Sequence, residues 1–283
     1  MNRQSLRLQQ LMAERRLRVV AAEELQTPAT EASAVPAQHC HSIVVSGAAG
    51  GVGRSTIALR LALDLGAAGH RVCLLDANAG ISHTAILAGL SNWPLAADAT
   101  SARPLSEALV ELNTNLAGLF GASDIAAGLT TDAIAAQADD LLGRFDYCVA
   151  DVGVRTTPAA AAMLAEADVA MMVTTPMPIA LAETYAALKT LAGDGPQQTA
   201  VVVNRTATPQ AAAETIGRLT KTAEAFLGRR PSTIAAIEED ASVFASGLSR
   251  DVSQIDADGP FAVAVRGLAT RLSRRLASER RAA

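Results

Sequence analysis

Residues 42–56 read SIVVSGAAGGVGRST, and this stretch decides the fold. It opens on an unbroken apolar run, Ile43-Val44-Val45, bounded by serines. A β-branched run without polar alternation is the pattern of a strand buried on both faces of a parallel sheet. Gly50, Gly51 and Gly53 follow, and then an apolar helical pattern through Ile57, Leu59, Leu61 and Leu63. A glycine-rich turn between strand and helix presents backbone N–H groups to an anion, with the positive end of the helix dipole behind them.

Outward from this point the same rhythm repeats. Apolar runs recur at 71–75, 147–150, 169–174, 199–203 and 232–237, with a weaker one at 116–120. Segments long enough for crossover helices lie between several of them, such as 55–69 and 181–191. The alanine-rich stretch 159–167 reads as another, because Ala favours helix, and Pro158 suits its first turn. The expectation is an α/β fold, doubly wound, with a mostly parallel sheet and helices on both faces.

Four zones follow from composition. Residues 1–20 form a helical candidate with Leu6, Leu8, Leu11, Met12 and Leu17 among arginines and glutamines. Residues 21–40, with Pro28, Pro36 and small polar residues, read as a flexible linker. Residues 41–258 hold the α/β pattern. In 259–283, Phe261, Val265, Leu268, Leu272 and Leu276 share one helical face. Arg266, Arg271, Arg274, Arg275, Arg280 and Arg281 occupy the other. Such a basic amphipathic helix suits either an anionic membrane surface, through 261–281, or docking on the sheet with a solvated arginine face. The membrane surface is the expectation carried forward.

With 283 residues, 50% of them hydrophobic, the chain has ample material for a core and is not disordered throughout. A formal net charge of -4 argues against a dedicated nucleic-acid binder, so no direct nucleic-acid contact is expected. No window supplies the ~20 charge-free apolar residues of a spanning helix. The first residues carry charge without an apolar leader core, and Cys40, Cys73 and Cys148 are too few and scattered for a disulfide framework. A cytoplasmic setting is expected. Only Lys189 and Lys221 are lysines, so arginine stands in most basic positions.

The phosphate-loop pattern G-x-x-x-x-G-K-[ST] needs glycine for close approach, lysine for the β/γ-phosphates and a hydroxyl for Mg²⁺. Aligned on Gly53, the chain offers Ala48 for the first glycine, Arg54 for lysine and Ser55 for the hydroxyl. Asp76 closes the second apolar run and Asp151 closes the run at 147–150. Acids just beyond the carboxyl ends of parallel strands lie where open α/β sheets bind ligands, and Mg²⁺ takes few carboxylates plus phosphate. The plain alternatives are a glycine turn without ligand and acids that cap their own turns. Asn204, in Val201-Val202-Val203-Asn204-Arg205, places an amide at another strand end, able to pair with a base edge.

Together these residues resemble the MinD/ParA family of deviant-Walker P-loop ATPases, and within it the FlhG/FleN branch of flagellar-number regulators. The resemblance runs over nearly the whole chain. It rests on Gly50-Gly51-Val52-Gly53, on Leu74-Leu75-Asp76-Ala77, on Thr175-Pro176-Met177-Pro178 with Tyr185 and Leu188-Lys189, and on Asn204. Thr208-Pro209-Gln210, Leu219-Thr220-Lys221-Thr222, Phe226-Leu227 and the stretch from Asp240 to Val243 match the branch. It implies ATP or ADP with Mg²⁺, held by Gly50, Gly51, Val52, Gly53, Arg54, Ser55, Thr56, Asp76, Asp151 and Asn204, with the metal at Ser55, Asp76 and Asp151. No catalytic residue is assigned. It also implies a nucleotide-dependent homodimer, residence on the inner membrane surface, and partners in flagellar assembly. These are an FlhF-like GTPase, switch-ring components or a flagellar transcription activator. The GTPase is stimulated in the branch by an N-terminal D-Q-A-x-x-L-R element. Here Gln4 and Leu8 match it, while Arg3 and Gln9 depart from it.

Other departures bear on chemistry. The family's lysine that reaches across the dimer is Ala49, its second lysine is Arg54, and its second switch acid is Asn78. Phosphoryl transfer depends on positioned charge, and loss of one such donor elsewhere costs about 10²–10³ in rate. The expectation is a regulator of flagellar number or placement with very slow or absent hydrolysis. The rivals are a working ATPase of the same family, a nucleotide-free scaffold, and a cellulose-synthesis or partition relative.

Overall fold

The computed structural model describes residues 40–282 apart from 48, 79, 100–103, 124–131, 155–157, 191–197, 229 and 231–232. The helical candidate 1–20 and the linker, except Cys40, lie outside the described residues.

Strand β1 is His41–Gly47 and leads through the glycine loop into helix α1, Arg54–Ala67. Then come β2 (Val72–Asp76), the short α2 (His83–Leu87), β3 (Leu109–Asn113), β4 (Leu116–Leu119) and α3 (Asp132–Leu142). Next are β5 (Tyr147–Val154), α4 (Pro158–Glu166), β6 (Val169–Thr174) and α5 (Pro178–Thr190). The chain closes with β7 (Gln198–Thr206), α6 (Pro209–Leu227), β8 (Thr233–Glu238), α7 (Ala241–Ser249) and α8 (Pro260–Ala282). Every strand expected from an apolar run is present.

The described strands form one sheet in the order β3-β4-β2-β5-β1-β6-β7-β8. All neighbours pair in parallel except β3 with β4. The edge strand β3 was not expected. None of its residues is fully buried, as an edge permits, so it leaves no apolar run to read.

Alternate residues of each strand feed opposite faces, as the period of two requires. Ile43, Val45, Leu74 and Val149 pack with Ile57, Leu61 and Leu65 of α1 on one face. Val44, Cys73, Leu75 and Ala150 pack with Leu164 of α4, Leu188 of α5 and Leu219 of α6 on the other. The fold is therefore the doubly wound α/β arrangement expected.

The terminal helix corrects an expectation. Phe261, Val265, Leu268, Leu272 and Leu276 of α8 are buried and belong to the same core face as α1. The apolar stripe from Phe261 to Leu276 is consumed by the fold, so in this arrangement it is not the lipid-facing surface expected of a membrane anchor over 261–281. Arg266, Arg271, Arg274 and Arg275 lie on its exposed side. No helix among the described residues is long and apolar enough to cross a membrane.

Candidate functional site

The loop 49–53 lies between β1 and α1, at the carboxyl edge of the sheet between β5 and β6. Gly53 caps α1 with φ 93 and ψ 18, a left-handed conformation that a side chain strains, and a Cβ there would overlap the Asn204 amide. Asn204 is buried and its Nδ2 donates to the Val52 carbonyl at 2.9 Å. The expected base-edge amide thus pins the loop from below. Arg205, beside it, holds φ 58, and the β7–β8 register shifts between Val203 and Thr206. A left-handed non-glycine residue costs on the order of 1–3 kcal/mol and persists where its surroundings fix it.

Arg54 opens α1 and is half-buried. Its stem lies back over Gly47, where a methyl group would overlap its Cδ, and Nη1 approaches Gly153. Nη1 is buried and finds no hydrogen-bond partner among the described residues. Burial lowers the Arg54 pKa and the Asp151 charge opposes that shift, yet a guanidinium stays protonated in proteins. A buried cationic N–H without an acceptor is costly, so an anion that reached this nitrogen would relieve that cost.

Ser55, on the first turn of α1, donates its Oγ proton to Asp151 Oδ2 at 2.5 Å. The proton's commitment leaves the hydroxyl lone pairs for a hard cation, and Asp151 stands behind it. Asp151 is fully buried. Burial pushes its carboxyl above the usual range, and the Asp76 charge adds to this against the pull of Ser55 and the Gly153 N–H. Ser55 and Asp151 therefore fit a Mg²⁺ bound with a polyphosphate, whose chemistry would be charge neutralisation at the phosphates.

Asp76 does not fit that role. It is the register partner of Asp151, so both acids emerge at one level of the sheet. Yet it is fully buried, and its two oxygens accept from Asn78 N and Nδ2, Ser82 Oγ, and Thr84 N and Oγ1, at 2.5–3.2 Å. It holds the chain after β2 in place and offers no free lone pair to a metal. Ser82 and Thr84 escaped the sequence reading. A polar pair six and eight residues beyond a strand-end acid is the only signal they leave.

Asn78 is equally committed. Its Nδ2 donates to Asp76 Oδ1 at 2.8 Å and to the Asp151 carbonyl at 3.3 Å. Its Oδ1 lies against Gly153, at φ 70, leaving no room for a Cβ there. Ala49 is half-buried and packs against the core, carrying no charge. Gly50 and Gly51 are exposed at the loop's tip, Val52 is buried, and Thr56 is half-buried on the first turn. The arrangement brings Gly50, Gly51, Gly53, Arg54, Ser55 and Asp151 to one edge of the sheet, where Asp76, Asn78 and Asn204 bond the flanking segments. It can cradle a polyphosphate. Of the two strand-end carboxylates, Asp76 is spent on bonds within the chain and Asp151 is paired with Ser55.

Comparison with known proteins agrees with this geometry. Antiactivator FleN of Pseudomonas aeruginosa is 28% identical over 214 residues, covering 71% of this chain and 74% of that protein. Flagellum site-determining protein YlxH of Helicobacter pylori is 27% identical over 189 residues, 64% of each. Among solved structures, the septum site-determining protein MinD of Pyrococcus horikoshii, complexed with Mg-ADP, superposes with a TM-score of 0.64 at 21% identity. It covers 83% of this chain and 96% of that one. Residues 38–215 match the ParA family, described as NUBPL iron-transfer P-loop NTPase. A strand, a glycine loop and a helix in series, with a buried cationic nitrogen on the helix's first residue, accord with that match: the chain belongs to the ParA family of P-loop NTPases.

Proposed function

We propose that the chain is a nucleotide-responsive regulator of flagellar number or placement that binds Mg²⁺ with ATP or ADP and turns ATP over very slowly or not at all. The observation that carries the binding half is the unpartnered, buried Arg54 Nη1 beside an intact Ser55–Asp151 pair. The observation that carries the other half is Asn78, whose amide is spent on Asp76 and the Asp151 carbonyl, together with the uncharged Ala49. The likeness to FleN and YlxH supports the flagellar role.

The nucleotide would act by pairing two copies across the loop. Ile81, beyond β2, and Met177 and Ile179, beyond β6, are exposed at the sheet's carboxyl edge on either side of the loop. Exposed large hydrophobics on both sides of the loop give such a pairing apolar surface to bury. An FlhF-like GTPase, reached through residues 1–20, switch-ring components or a flagellar transcription activator would read the paired state, and GTP turnover by that GTPase with and without the chain tests the first of these. Membrane residence through 261–281 forms no part of the proposal, because the apolar face of α8 lies in the core.

One preparation tests both halves. The 283-residue chain incubated with Mg-ATP is expected to double its mass in sedimentation while phosphate release stays near background. Release at the rate of a family member with both lysines would contradict the proposal, as would a mass indifferent to nucleotide.

A further inference from the structure

Helix α7 buries one side and leaves the other bare. Val243 packs on the core and Ser246 is buried, whereas Ala241, Phe244, Ala245 and Leu248 point the opposite way. Phe244 and Leu248 are 72% and 73% exposed, more than any other large hydrophobic among the described residues. Positions 241, 244, 245 and 248 follow the spacing of one helical stripe, so the patch is continuous.

The patch has a charged surround. Glu238 and Glu239 precede α7, and Asp256 and Asp258 follow it, all four exposed. The Asp256 N–H donates to Ser242 Oγ at 3.1 Å, which sets this acidic turn beside the helix's first turn. From 238 to 258 the chain carries six acids against the single Arg250. An apolar stripe in an acidic frame fits a basic amphipathic helix.

The chain contains such a segment. Residues 1–20 hold five arginines against one glutamate. Leu8, Leu11 and Met12 fall at i, i+3 and i+4, with Arg15 next on the same face. Residues 21–39 link it to β1, and at ~3.3 Å per residue they reach about 60 Å. That exceeds the ~45 Å span expected of a domain of this size. We infer that residues 1–20 dock on the Phe244–Leu248 face of α7 in their own chain, with Leu8, Leu11 and Met12 on the stripe and Arg15, Arg16 and Arg18 toward the acids. Docked this way, Gln4 and Leu8, the two residues shared with the GTPase-stimulating pattern, lie in a covered segment, and a partner must displace it from α7 to use it. The inference does not depend on nucleotide binding.

A flexible tether of this length supplies an effective concentration near the millimolar range, so a contact of only ~100 µM intrinsic affinity stays about 90% closed. Hydrogen exchange of the full chain reads this directly. Amides of residues 6–18 are expected to exchange about tenfold slower in the native chain than in a Phe244→Asp, Leu248→Asp variant, independently of protein concentration. Amides of α1 and α8 report whether the variant is folded. If they change, Leu11→Asp with Met12→Asp removes the contact from the segment side and should give the same tenfold loss. Equal exchange in the native and substituted chains overturns the inference. So does slowing that vanishes on dilution, which assigns the face to a second copy, or slowing that needs an added protein.

Discussion

The amide at position 78 gives its hydrogens to a carboxylate and a carbonyl, and a carboxylate in its place would set a third acceptor beside two others. Asn78→Asp is therefore expected to destabilise the chain by about 1–3 kcal/mol in urea unfolding. An unchanged midpoint would show that the amide's bonds carry no weight. Asp151 makes the opposite prediction. Burial raises its folded-state pKa above the unfolded value, so the folded chain binds the proton more tightly. Stability then falls as pH rises from the ordinary carboxylate range through the raised value, and the penalty persists above it. Asp151→Asn should raise the melting temperature at neutral pH, flatten its pH dependence there, and abolish any stabilisation by Mg-nucleotide. A variant that melts lower and still responds to nucleotide would contradict this assignment. At this scale the positions of Gly50, Gly51, Gly53, Arg54 and Ser55 were legible, because a strand, a loop and a helix in series fix where they lie, and that of Asp151 because it closes an apolar run. Asp76 and Asn204 were placed in the right region, but not their bonds within the chain. The groups that capture them, Ser82, Thr84 and the Val52 carbonyl, carry no spacing signature.

Helix α8 shows what periodicity can and cannot say. The steps from Phe261 to Leu276 identified the helix and its apolar face, but an apolar stripe at helical spacing does not name what covers it. The cover is α1 and the sheet. Leu268→Ala or Leu272→Ala is thus expected to cost about 2–5 kcal/mol each by chemical denaturation. Substitutions among the exposed Arg271, Arg274 and Arg275 should stay within about 0.5 kcal/mol. Equal, small effects from both sets would mean that the helix is not part of the core. Removing residues from Phe261 onward takes away core side chains, so its effect on any binding partner would be a consequence of unfolding. Strand β3 was illegible for the converse reason: half-exposed on both faces at the sheet's edge, it shows neither an apolar run nor clean alternation.

At the scale of the molecule, the parallel order of the sheet gathers one loop, one cation and one hydroxyl–carboxylate pair at a single edge, with exposed Ile81, Met177 and Ile179 beside them. The doubly wound order was legible because continuous apolar runs alternated with helical segments, a pattern that few folds share. Which groups still work there was not, since that depends on contacts between segments far apart in sequence. The central claim is that this edge retains a phosphate cradle after losing the charges that cleave what it holds. Calorimetric titration of the full chain with Mg-ADP tests this most directly. One nucleotide per chain is expected, with binding lost in Arg54→Ala. No heat at millimolar nucleotide, or binding indifferent to that substitution, would contradict the account.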